Sequence, residues 1–490
     1  MSLINVQNLT FSYDGGYKNI FENTSFQIDT DWKLGLVGRN GRGKTTLLNL
    51  LLNKYEYTGN ISSNVNFTYF PFKVGNPNQL VCEILWDICP QTESWEILKE
   101  FSYLQLDKDV LYSQFNSLSN GEQTKTLLAG LFLNDNNYLL IDEPTNHLDI
   151  NSRQVVANYL NKKKSFILIS HDRAFLDECV DHILSINKKN IEITQGNFSC
   201  WLDNFNNQQE YETALNEKLQ KEISRLSKAA SRNADWANKL EATKYGNGPV
   251  DRGYIGHKSA KMMKRAKAAE NRQNKAIEQK SQLLQNVEKT DNLKLSPLSY
   301  KMNKLIIAND LQIKYNEKTI CEPINLEICE GDRILLEGKN GSGKSSLLKI
   351  ITGEKINYTG KISVPSDLII SYIPQSFEHL KGSILNFIKN NKINQPLFRA
   401  ILEKMGFDKN DYDNDLTSLS EGQKKKILIA KSLSEQAHLY IWDEPLNYLD
   451  IHARIQLEKL IQSYSPTLIF VEHDKTFQQN ICNKILSLEI

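Results

Sequence analysis

The sequence predicts an α/β protein with two copies of one domain, joined by a long antiparallel α-helical hairpin. Three observations lead to this prediction. A glycine-rich loop occurs twice, short apolar runs alternate with helical patterns in both halves, and residues 208–287 form a polar segment with helical spacing. We place the domains at residues 1–204 and 302–490, and the linker at residues 205–301 with its tip at about 245–257.

The internal repeat keeps its register along the chain. The loop that begins at Gly38 recurs at Gly338, an offset of 300 residues, and the Leu-Ser-x-Gly sequence at Leu118 recurs at Leu419, an offset of 301. An Asp-Glu-Pro sequence recurs with an offset of 301 and a His-Asp pair with an offset of 302. Landmarks in nearly constant register indicate a duplicated domain.

The apolar runs before these landmarks have the length of buried strands. They cover residues 33–37, 138–141 and 165–170 in the first copy, and 333–337, 439–442 and 467–472 in the second. Short buried strands separated by helices predict a sheet with parallel central strands. Because the carboxyl ends of such strands meet at one edge, we expect the ligand site at that edge.

Both glycine loops fit the pattern G-x-x-x-x-G-K-[ST] and lie between a predicted strand and a predicted helix. Their backbone N–H groups and the following helix N-terminus would form a positive cradle for phosphates. We expect Lys44 and Lys344 to reach the β- and γ-phosphates of a nucleotide. The other predicted contacts are Gly38, Asn40, Gly41, Gly43, Thr45 and Thr46 in the first loop, and Gly338, Asn340, Gly341, Gly343, Ser345 and Ser346 in the second.

Hydroxyl and carboxylate side chains near these loops predict magnesium sites. Thr45 and Ser345 directly follow the loop lysines, and their hydroxyls would ligate Mg²⁺. Asp142 and Asp443 follow buried strands and would hold the ion through its water ligands. The sequence therefore predicts two sites for a nucleotide with Mg²⁺.

Two acids and two histidines are the candidate catalytic residues. Glu143 and Glu444 follow the strand-end aspartates, where a carboxylate can orient and deprotonate the attacking water. His171 and His473 follow equivalent strands and can contact the γ-phosphate. A single histidine is more often a structural residue, but the matched placement of these two favours a catalytic role.

Together these motifs resemble the ATP-binding cassette, once in each copy. The resemblance includes the sequences Asn-His-Leu-Asp at 146–149 and Asn-Tyr-Leu-Asp at 447–450, and it covers about four fifths of the chain. It implies two tandem ABC-type ATPase domains that hydrolyse ATP and pair head to tail within one monomer. The signature residues of one cassette would then cap ATP on the other: Ser119 and Gly121 at Lys344, and Ser420 and Gly422 at Lys44.

Other cassette positions are only partly matched. Tyr13 and Tyr315 resemble the aromatic residue that stacks on adenine, although a core position is an equally good interpretation of each. Gln375 matches the glutamine that would touch ATP, Mg²⁺ and water, whereas the first copy has Phe72 there. The two sites are therefore not expected to be equally active.

The linker has a net positive charge, whereas the rest of the chain is net negative. Residues 221–275 hold 14 Lys and Arg and 5 Asp and Glu, a net charge of +9, whereas the rest of the chain has a net charge of −8. This asymmetry suggests a polyanionic partner, although a solvated helix face is the alternative for a charge run alone. Basic side chains beside aromatic ones favour structured RNA. The predicted RNA contacts are Lys244, Tyr245, Arg252, Tyr254, Ile255, Lys258, Lys261, Lys264, Arg265 and Lys267.

Two cassettes joined by a basic hairpin are similar to the ABC-F subfamily, whose members act on the ribosome. Phe72 and Leu118 are 46 positions apart and Gln375 and Leu419 are 44 apart, so no additional arm fits in the first cassette. The chain ends 17 residues after His473, so we expect no C-terminal extension. A long hairpin without an arm resembles the resistance members of the Lsa and Vga types, as does the sequence of residues 248–265.

This resemblance implies a role in antibiotic resistance by target protection. The expected partners are the bacterial 70S ribosome, at its 23S rRNA and tRNA exit region, and P-site tRNA. The linker tip would approach the peptidyl-transferase centre and displace lincosamide, streptogramin A or pleuromutilin drugs. A housekeeping ABC-F translation factor is the first alternative, and a soluble ATPase subunit of an ABC transporter is the second.

The resemblance implies a cytoplasmic, ribosome-associated protein without a membrane subunit, and composition agrees with the cytoplasmic location. The chain of 490 residues is 40% hydrophobic and 24% charged, and it contains no run of 18 apolar residues that would span a membrane. Its first residues lack the basic and apolar regions of a secretory signal. Seven scattered cysteines indicate buried thiols in a reducing compartment.

Overall fold

The fold is that of a computed structural model. The described residues are 2–13, 19–72, 74–133, 137–145, 148–187, 190–242, 264, 267, 293–315, 318–339 and 341–488. The chain forms two compact units, one made of Met1–Ser199 with Thr290–Ile490, and the other of Cys200–Lys289. Both repeated copies thus belong to the first unit, and most of the predicted linker forms the second.

The first copy alternates strands and helices, as the sequence predicts. Its strands are β1 (Leu3–Phe11), β2 (Phe21–Asp29), β3 (Lys33–Gly38), β4 (Thr58–Ser62), β5 (Asn66–Phe70), β6 (Asn137–Asp142), β7 (Phe166–Ile169), β8 (His182–Ile186) and β9 (Ile191–Gln195). Its helices are α1 (Lys44–Leu51), α2 (Val81–Ile88), α3 (Ser94–Tyr103), α4 (Asn120–Phe132), α5 (Ile150–Asn161) and α6 (Arg173–Cys179).

A long helix, α7 (Phe198–Ala242), follows the first copy, and the second copy then repeats the first. The strands of the second copy are β10 (Lys304–Tyr315), β11 (Lys318–Thr319), β12 (Ile324–Cys329), β13 (Arg333–Glu337), β14 (Tyr358–Ser363), β15 (Ile370–Ile373), β16 (Leu439–Asp443), β17 (Leu468–Val471) and β18 (Lys484–Ser487). Its helices are α8 (Lys344–Ile351), α9 (Ile384–Asn390), α10 (Gln395–Lys404), α11 (Glu421–Ser434), α12 (Ile451–Tyr464) and α13 (Lys475–Ile481).

Each copy is built on a mostly parallel sheet, which confirms the predicted α/β fold class. The order is β5-β6-β7-β3-β8-β9 in the first copy and β15-β16-β17-β13-β18 in the second. The strands predicted before the glycine loops, the acids and the histidines are all parallel neighbours. Their carboxyl ends therefore bring these three motifs to one edge of each sheet.

Antiparallel strands, which the sequence did not predict, cover one face of each parallel sheet. They run in the order β2-β1-β4 in the first copy, and β11-β10-β12 with β14 beside β10 in the second. Ile4 of β1, Leu47 of α1 and Leu140 of β6 belong to one buried cluster, so the glycine-loop helix is packed between the two layers. Burial of this apolar surface holds the loop helix at the sheet edge.

The signature sequences form helix N-termini through reciprocal caps. The backbone N–H of Ser119 donates to Oε2 of Glu122 over 2.9 Å, and the N–H of Glu122 donates to Oγ of Ser119 over 3.3 Å. Ser420 and Gln423 repeat this pattern at 2.9 and 3.3 Å. These capping boxes fix where α4 and α11 begin, and they leave the following glycines at the helix starts.

The predicted linker begins inside a helix of 45 residues, α7. A helix of that length spans about 68 Å at 1.5 Å per residue. Lys264 and Lys267 are also helical, and their side chains are exposed. The rest of the predicted second helix and its tip lie outside the described residues. Among the residues that are described, no helix is both long and apolar enough to cross a lipid bilayer.

Candidate functional site

The glycine loops end in strained backbone that only glycine adopts easily. Gly43 and Gly343 precede the loop helices with φ of 91° and 90°. A Cβ at Gly43 would lie 2.6 Å from Cγ2 of Ile20, so space as well as backbone angle requires glycine there. The loop therefore turns tightly and directs the first N–H groups of the helix toward the sheet edge, where an anion can bind.

Both loop lysines curl back over their own loops. Nζ of Lys44 donates to the carbonyl of Gly38 over 2.7 Å, and Nζ of Lys344 donates to that of Gly338 over 2.8 Å. Burial lowers the pKa of each amine, and nearby carboxylates oppose that shift. A buried ammonium with few partners is well suited to bind phosphate oxygens.

The predicted metal ligands lie together in both copies. Oγ1 of Thr45 donates to Oδ2 of Asp142 over 3.0 Å, and burial raises the pKa of Asp443 to about 6 against the hydrogen bond from Ser345. Within the described part of the chain, Oδ1 of Asp443 is buried without a hydrogen-bond partner. Hard oxygen donors and an unpartnered carboxylate oxygen fit Mg²⁺. When bound there, the ion would neutralise charge on the phosphates.

The first copy differs at this position. Oη of Tyr69 donates to the same oxygen of Asp142 that Thr45 contacts, over 3.0 Å. For the corresponding Tyr372, burial raises the pKa, with Asp443 the next contributor. Oδ2 of Asp142 thus accepts from two hydroxyls, and neither of these bonds occupies Oδ1 of that carboxylate.

Each candidate acid lies beside its candidate histidine. Nε2 of His171 is 3.3 Å from Oε1 of Glu143, and Nε2 of His473 is 3.9 Å from Oε1 of Glu444. Both glutamates have positive φ, 52° and 49°, which is unusual for residues with a side chain and is found at functional sites. Burial, followed by Asp142, raises the pKa of Glu143 to about 8.

Both histidines are neutral at physiological pH. Burial, followed by the charge of Arg153, lowers the pKa of His473 to about 4, and burial lowers the pKa of His171 well below its usual value. Within the described region, Nδ1 of each ring lacks a hydrogen-bond partner. A neutral imidazole beside a carboxylate can donate one hydrogen bond to a phosphate oxygen without adding charge.

The two copies meet head to tail across a cavity of about 820 Å³. Ser119 and Gly121 line one side of it, and the loop with Lys344 lines the other. Gln375, Glu444 and His473 also line this cavity, together with Ser345 and Ser346. The residues predicted for the second ATP site are therefore brought together from both copies in one chain.

Another cavity shared by the two copies, of about 780 Å³, has a different lining. Ser420 and Gly422 face Asn40 and Gly41 across it. The backbone N–H of Asn40 donates to Oδ2 of Asp450 over 3.1 Å, and its side-chain amide donates to the carbonyl of Tyr448 over 3.0 Å. The first glycine loop is thus in direct contact with the second copy, so the two sites are not equivalent.

Arg153 and Arg173, which the sequence analysis did not select, bond across the interface between the two copies. Nη1 of Arg153 donates to Oδ2 of Asp172 over 3.0 Å and to the carbonyl of His473, in the other copy, over 3.3 Å. Arg454, its counterpart 301 residues later, donates to Asp474 over 3.3 Å. Nη2 of the buried Arg173 lies 2.7 Å from Oε2 of Glu458 across the interface. The sequence signal that could have identified Arg153 was its recurrence as Arg454 at the offset of the internal repeat.

The structure gives positions for some of the remaining predicted residues and not for others. Oη of Tyr13 lies 2.9 Å from Oγ1 of Thr46, and the ring is 45% exposed, so this tyrosine stands beside the loop helix and not in the core. Phe72 does not line the cavity at the first loop. Asn340, the side chain of Tyr315 and the predicted RNA contacts other than Lys264 and Lys267 lie outside the described residues.

A family model described as ABC transporter matches residues 21–146 and 321–447, once in each copy. The chain belongs to this family. Each copy is an ATP-binding cassette, which confirms the wider part of the resemblance drawn from the motifs. The chain is accordingly an ATP hydrolase, and its cassettes bind ATP.

Curated relatives match nearly the whole chain. The ATP-binding protein Uup of Buchnera aphidicola subsp. Acyrthosiphon pisum is 29% identical over 99% of this chain and 80% of its own length. The ribosome protection protein VmlR of Bacillus subtilis is 27% identical over 97% of this chain and 85% of its own length. A structure described as a model of ribosome-bound archaeal Pelota and ABCE1 matches with a TM-score of 0.63 at 20% identity, over 99% of this chain and 76% of that chain, and supports the fold alone.

Proposed function

We propose that this ATP hydrolase is a ribosome-binding protein of the ABC-F type that protects bacterial ribosomes from antibiotics. The observation that carries the proposal is the composite site in which Ser119 and Gly121 of one cassette face Lys344 of the other. ATP bound there would hold the cassettes closed, and hydrolysis would release them. Closure and opening would move the linker into and out of the ribosome.

The linker has the surface that an RNA partner requires. Its first helix exposes Lys218, Lys221, Arg225 and Lys228, and Lys264 and Lys267 are exposed as well. These side chains can neutralise phosphates and release counterions, which gives binding a steep dependence on salt. The tip residues would then approach the peptidyl-transferase centre from the tRNA exit region, contact 23S rRNA and P-site tRNA, and displace lincosamide, streptogramin A or pleuromutilin drugs.

The relatives support this proposal at two levels. A ribosome protection protein matches 97% of the chain, so the protective role is compatible with the whole length of the sequence. Relatives described only as ATP-binding proteins match equally well, which keeps a housekeeping translation factor as the second candidate. A membrane subunit is not required by either function, and we place the protein in the cytoplasm on ribosomes.

Trapping on ribosomes tests ribosome binding. The double variant Glu143→Gln, Glu444→Gln would bind ATP and remain closed, because water activation is lost while the phosphate contacts remain. With ATP, it should pellet with 70S ribosomes far more than the wild-type protein, and less so as salt is raised. Equal pelleting of the two proteins, or pelleting that ignores ionic strength, would count against the proposal.

Drug susceptibility separates protection from housekeeping. Expression in a susceptible bacterium should raise inhibitory concentrations for at least one of the three drug classes, and shortening residues 245–255 should abolish the effect. The control is to pellet this shortened variant with ribosomes. If it still binds them, the loss of resistance is not a loss of ribosome binding. Unchanged susceptibility with the intact protein would favour the translation factor, and co-purification with a membrane partner would favour the transporter subunit.

A further inference from the structure

The second cassette contains two buried charged residues that the first cassette lacks. Lys425 is 1% exposed and Glu472 is 4% exposed, and both lie just beneath the site with Lys344. Their counterparts in the repeat are Thr124 and Ser170, at offsets of 301 and 302. Charged groups are rarely buried without a reason, because removing them from water costs free energy.

Lys425 connects two strand ends of the candidate site. Its Nζ donates to the backbone carbonyl of Asp443 over 3.3 Å and lies 3.5 Å from that of Pro374. It also lies 5.6 Å from the centre of the Phe377 ring. Pro374 directly precedes Gln375, so one ammonium joins the strand end that carries the metal-binding aspartate to the loop that carries the glutamine.

Glu472 connects the other two catalytic segments. Its Oε1 accepts a hydrogen bond from the N–H of Leu446 over 2.6 Å, and its Oε2 accepts one from the N–H of His473 over 3.0 Å. Leu446 lies two residues after Glu444. The carboxylate therefore fixes the backbone after the candidate general base and the backbone of the candidate phosphate-binding histidine.

The two side chains also interact electrostatically. Glu472 is the strongest influence opposing the lowered pKa of Lys425, whereas burial raises the pKa of Glu472 to about 7 and Arg454 is the first charge that opposes that shift. In a buried environment such attraction is poorly screened. The pair thus links the glutamine loop, the aspartate strand, the glutamate loop and the histidine into one electrostatic unit.

The first cassette has neutral hydroxyls at the same places. Oγ of Ser170 lies 3.2 Å from Oγ1 of Thr145 and accepts a hydrogen bond from the N–H of Asp172 over 3.1 Å. Thr124 donates to the carbonyl of Asn120 within its own helix, at an exposed position. Ser170 thus joins the segment after Glu143 to the segment after His171 by neutral hydrogen bonds, where the second cassette has the carboxylate of Glu472. Thr124, by contrast, does not join the strand ends that Lys425 joins.

We propose that Lys425 and Glu472 are positioning residues for ATP hydrolysis at the site that contains Lys344. They hold the segments of Asp443, Gln375, Glu444 and His473 in fixed positions relative to one another without touching the nucleotide. The cassette with the pair is the faster of the two, and the difference between the cassettes is built into the protein before any partner binds. This inference depends on ATP hydrolysis and not on ribosome binding.

Exchange of residues between the copies tests the proposal. In a Glu143→Gln background, steady-state turnover of the purified full-length protein reports the site at Lys344. The double exchange Lys425→Thr, Glu472→Ser gives this site the side chains that the first cassette already tolerates. We expect kcat to fall at least tenfold with KM for ATP changed less than threefold, because the nucleotide contacts remain while the catalytic groups lose register.

Each single exchange leaves one buried charge unpaired, so it should lower the thermal unfolding midpoint more than the double exchange does. Lys424→Thr, which removes a neighbouring charge whose Nζ contacts only the carbonyl of Thr417 among the described residues, is the control and should keep kcat within twofold. The proposal would be overturned if the double exchange folded and kept the kcat of its Glu143→Gln parent. It would also be overturned if only KM for ATP changed.

Discussion

The backbone N–H of Asn40 donates a 3.1 Å hydrogen bond to Oδ2 of Asp450 in the opposite cassette. The same carboxylate caps helix α12 by accepting from the N–H of Ala453 over 2.9 Å, and it lies 3.5 Å from Nζ of Lys426. A loop N–H that can bind phosphate is thus engaged by a carboxylate. The first ATP site and the pairing of the cassettes are therefore coupled through one residue.

Replacement of that carboxylate should strengthen ATP binding at the first site. Asp450→Asn retains an oxygen that can cap α12 but removes a negative charge near Lys44 and Lys426. In a Lys344→Ala background, we expect about tenfold tighter binding of ATP, since one charge-assisted hydrogen bond of about 1.5 kcal/mol no longer competes. Equilibrium binding of a fluorescent ATP analogue measures this.

Asp149→Asn is the matched control for this experiment. Asp149 caps α5 through the N–H of Ser152 over 2.8 Å and lies at the other composite site. It should leave affinity at the Lys44 site within twofold. Weaker binding by Asp450→Asn would mean that the carboxylate supports the nucleotide and does not compete with it.

The two candidate general bases should contribute unequally to turnover. Burial keeps the pKa of Glu143 near 8, so this carboxyl is largely protonated at pH 7 and is a poor base, while Gln375 and Glu444 line the larger cavity. We expect Glu444→Gln to lower kcat by about 10²-fold to 10³-fold, and Glu143→Gln by less than about threefold. Similar losses for both variants would contradict the inequality of the sites.

The signature glycines differ in the space around them. A Cβ at Gly422 would lie 2.8 Å from the carbonyl oxygen of Tyr448 and 3.0 Å from Nδ2 of Asn40, whereas among the residues that the structure describes a Cβ at Gly121 would meet only Cδ2 of Leu148 at 3.5 Å. We expect Gly422→Ala to lower the free energy of unfolding by about 1–3 kcal/mol, and Gly121→Ala to lower it by less than about 1 kcal/mol. Chemical denaturation without nucleotide measures both free energies of unfolding. Equal losses would show that Tyr448 and Asn40 can move away from residue 422 at no cost.

His473 should make stability depend on pH. Its folded-state pKa of about 4 lies below the usual 6.5, so between these values the unfolded chain takes up a proton that the folded chain does not. Its contribution to folding is therefore complete above pH 6.5 and is lost as the pH falls toward 4. Relative to His473→Gln, the wild-type protein should lose up to about 3 kcal/mol of unfolding free energy over this range. If the unfolding free energies of the two proteins changed equally with pH, the pH dependence would not come from His473.

Much of the fold followed from local patterns. The runs at 333–337 and 33–37 became β13 and β3 with nearly the predicted bounds, because short apolar runs beside glycine loops have few alternatives to a buried parallel strand. The antiparallel strands were missed because their residues alternate irregularly. Register shifts interrupt β1 between Val6 and Leu9, so period-two spacing is lost there.

The candidate site was predictable where the chain repeats itself. The glycine loops, Asp142 and Asp443, and the two histidines are short-range motifs with a fixed offset, and each could be found without knowing what lies opposite. Arg173 could not, because its partner Glu458 is 285 positions away and only packing brings them together. Lys425 could not be found from the sequence either. Its neighbours Lys424 and Lys426 are also basic, and it becomes a candidate only once its burial is known.

By itself, the sequence determined that this chain carries two ATP-binding cassettes with a basic segment between them, because the motifs are local and occur twice. Only the tertiary structure decided that Asn40 meets Asp450 while the loop with Lys344 borders an 820 Å³ cavity. The reason is physical. Motif chemistry is encoded over a few residues, but burial and charge pairing depend on residues brought together from distant parts of the chain.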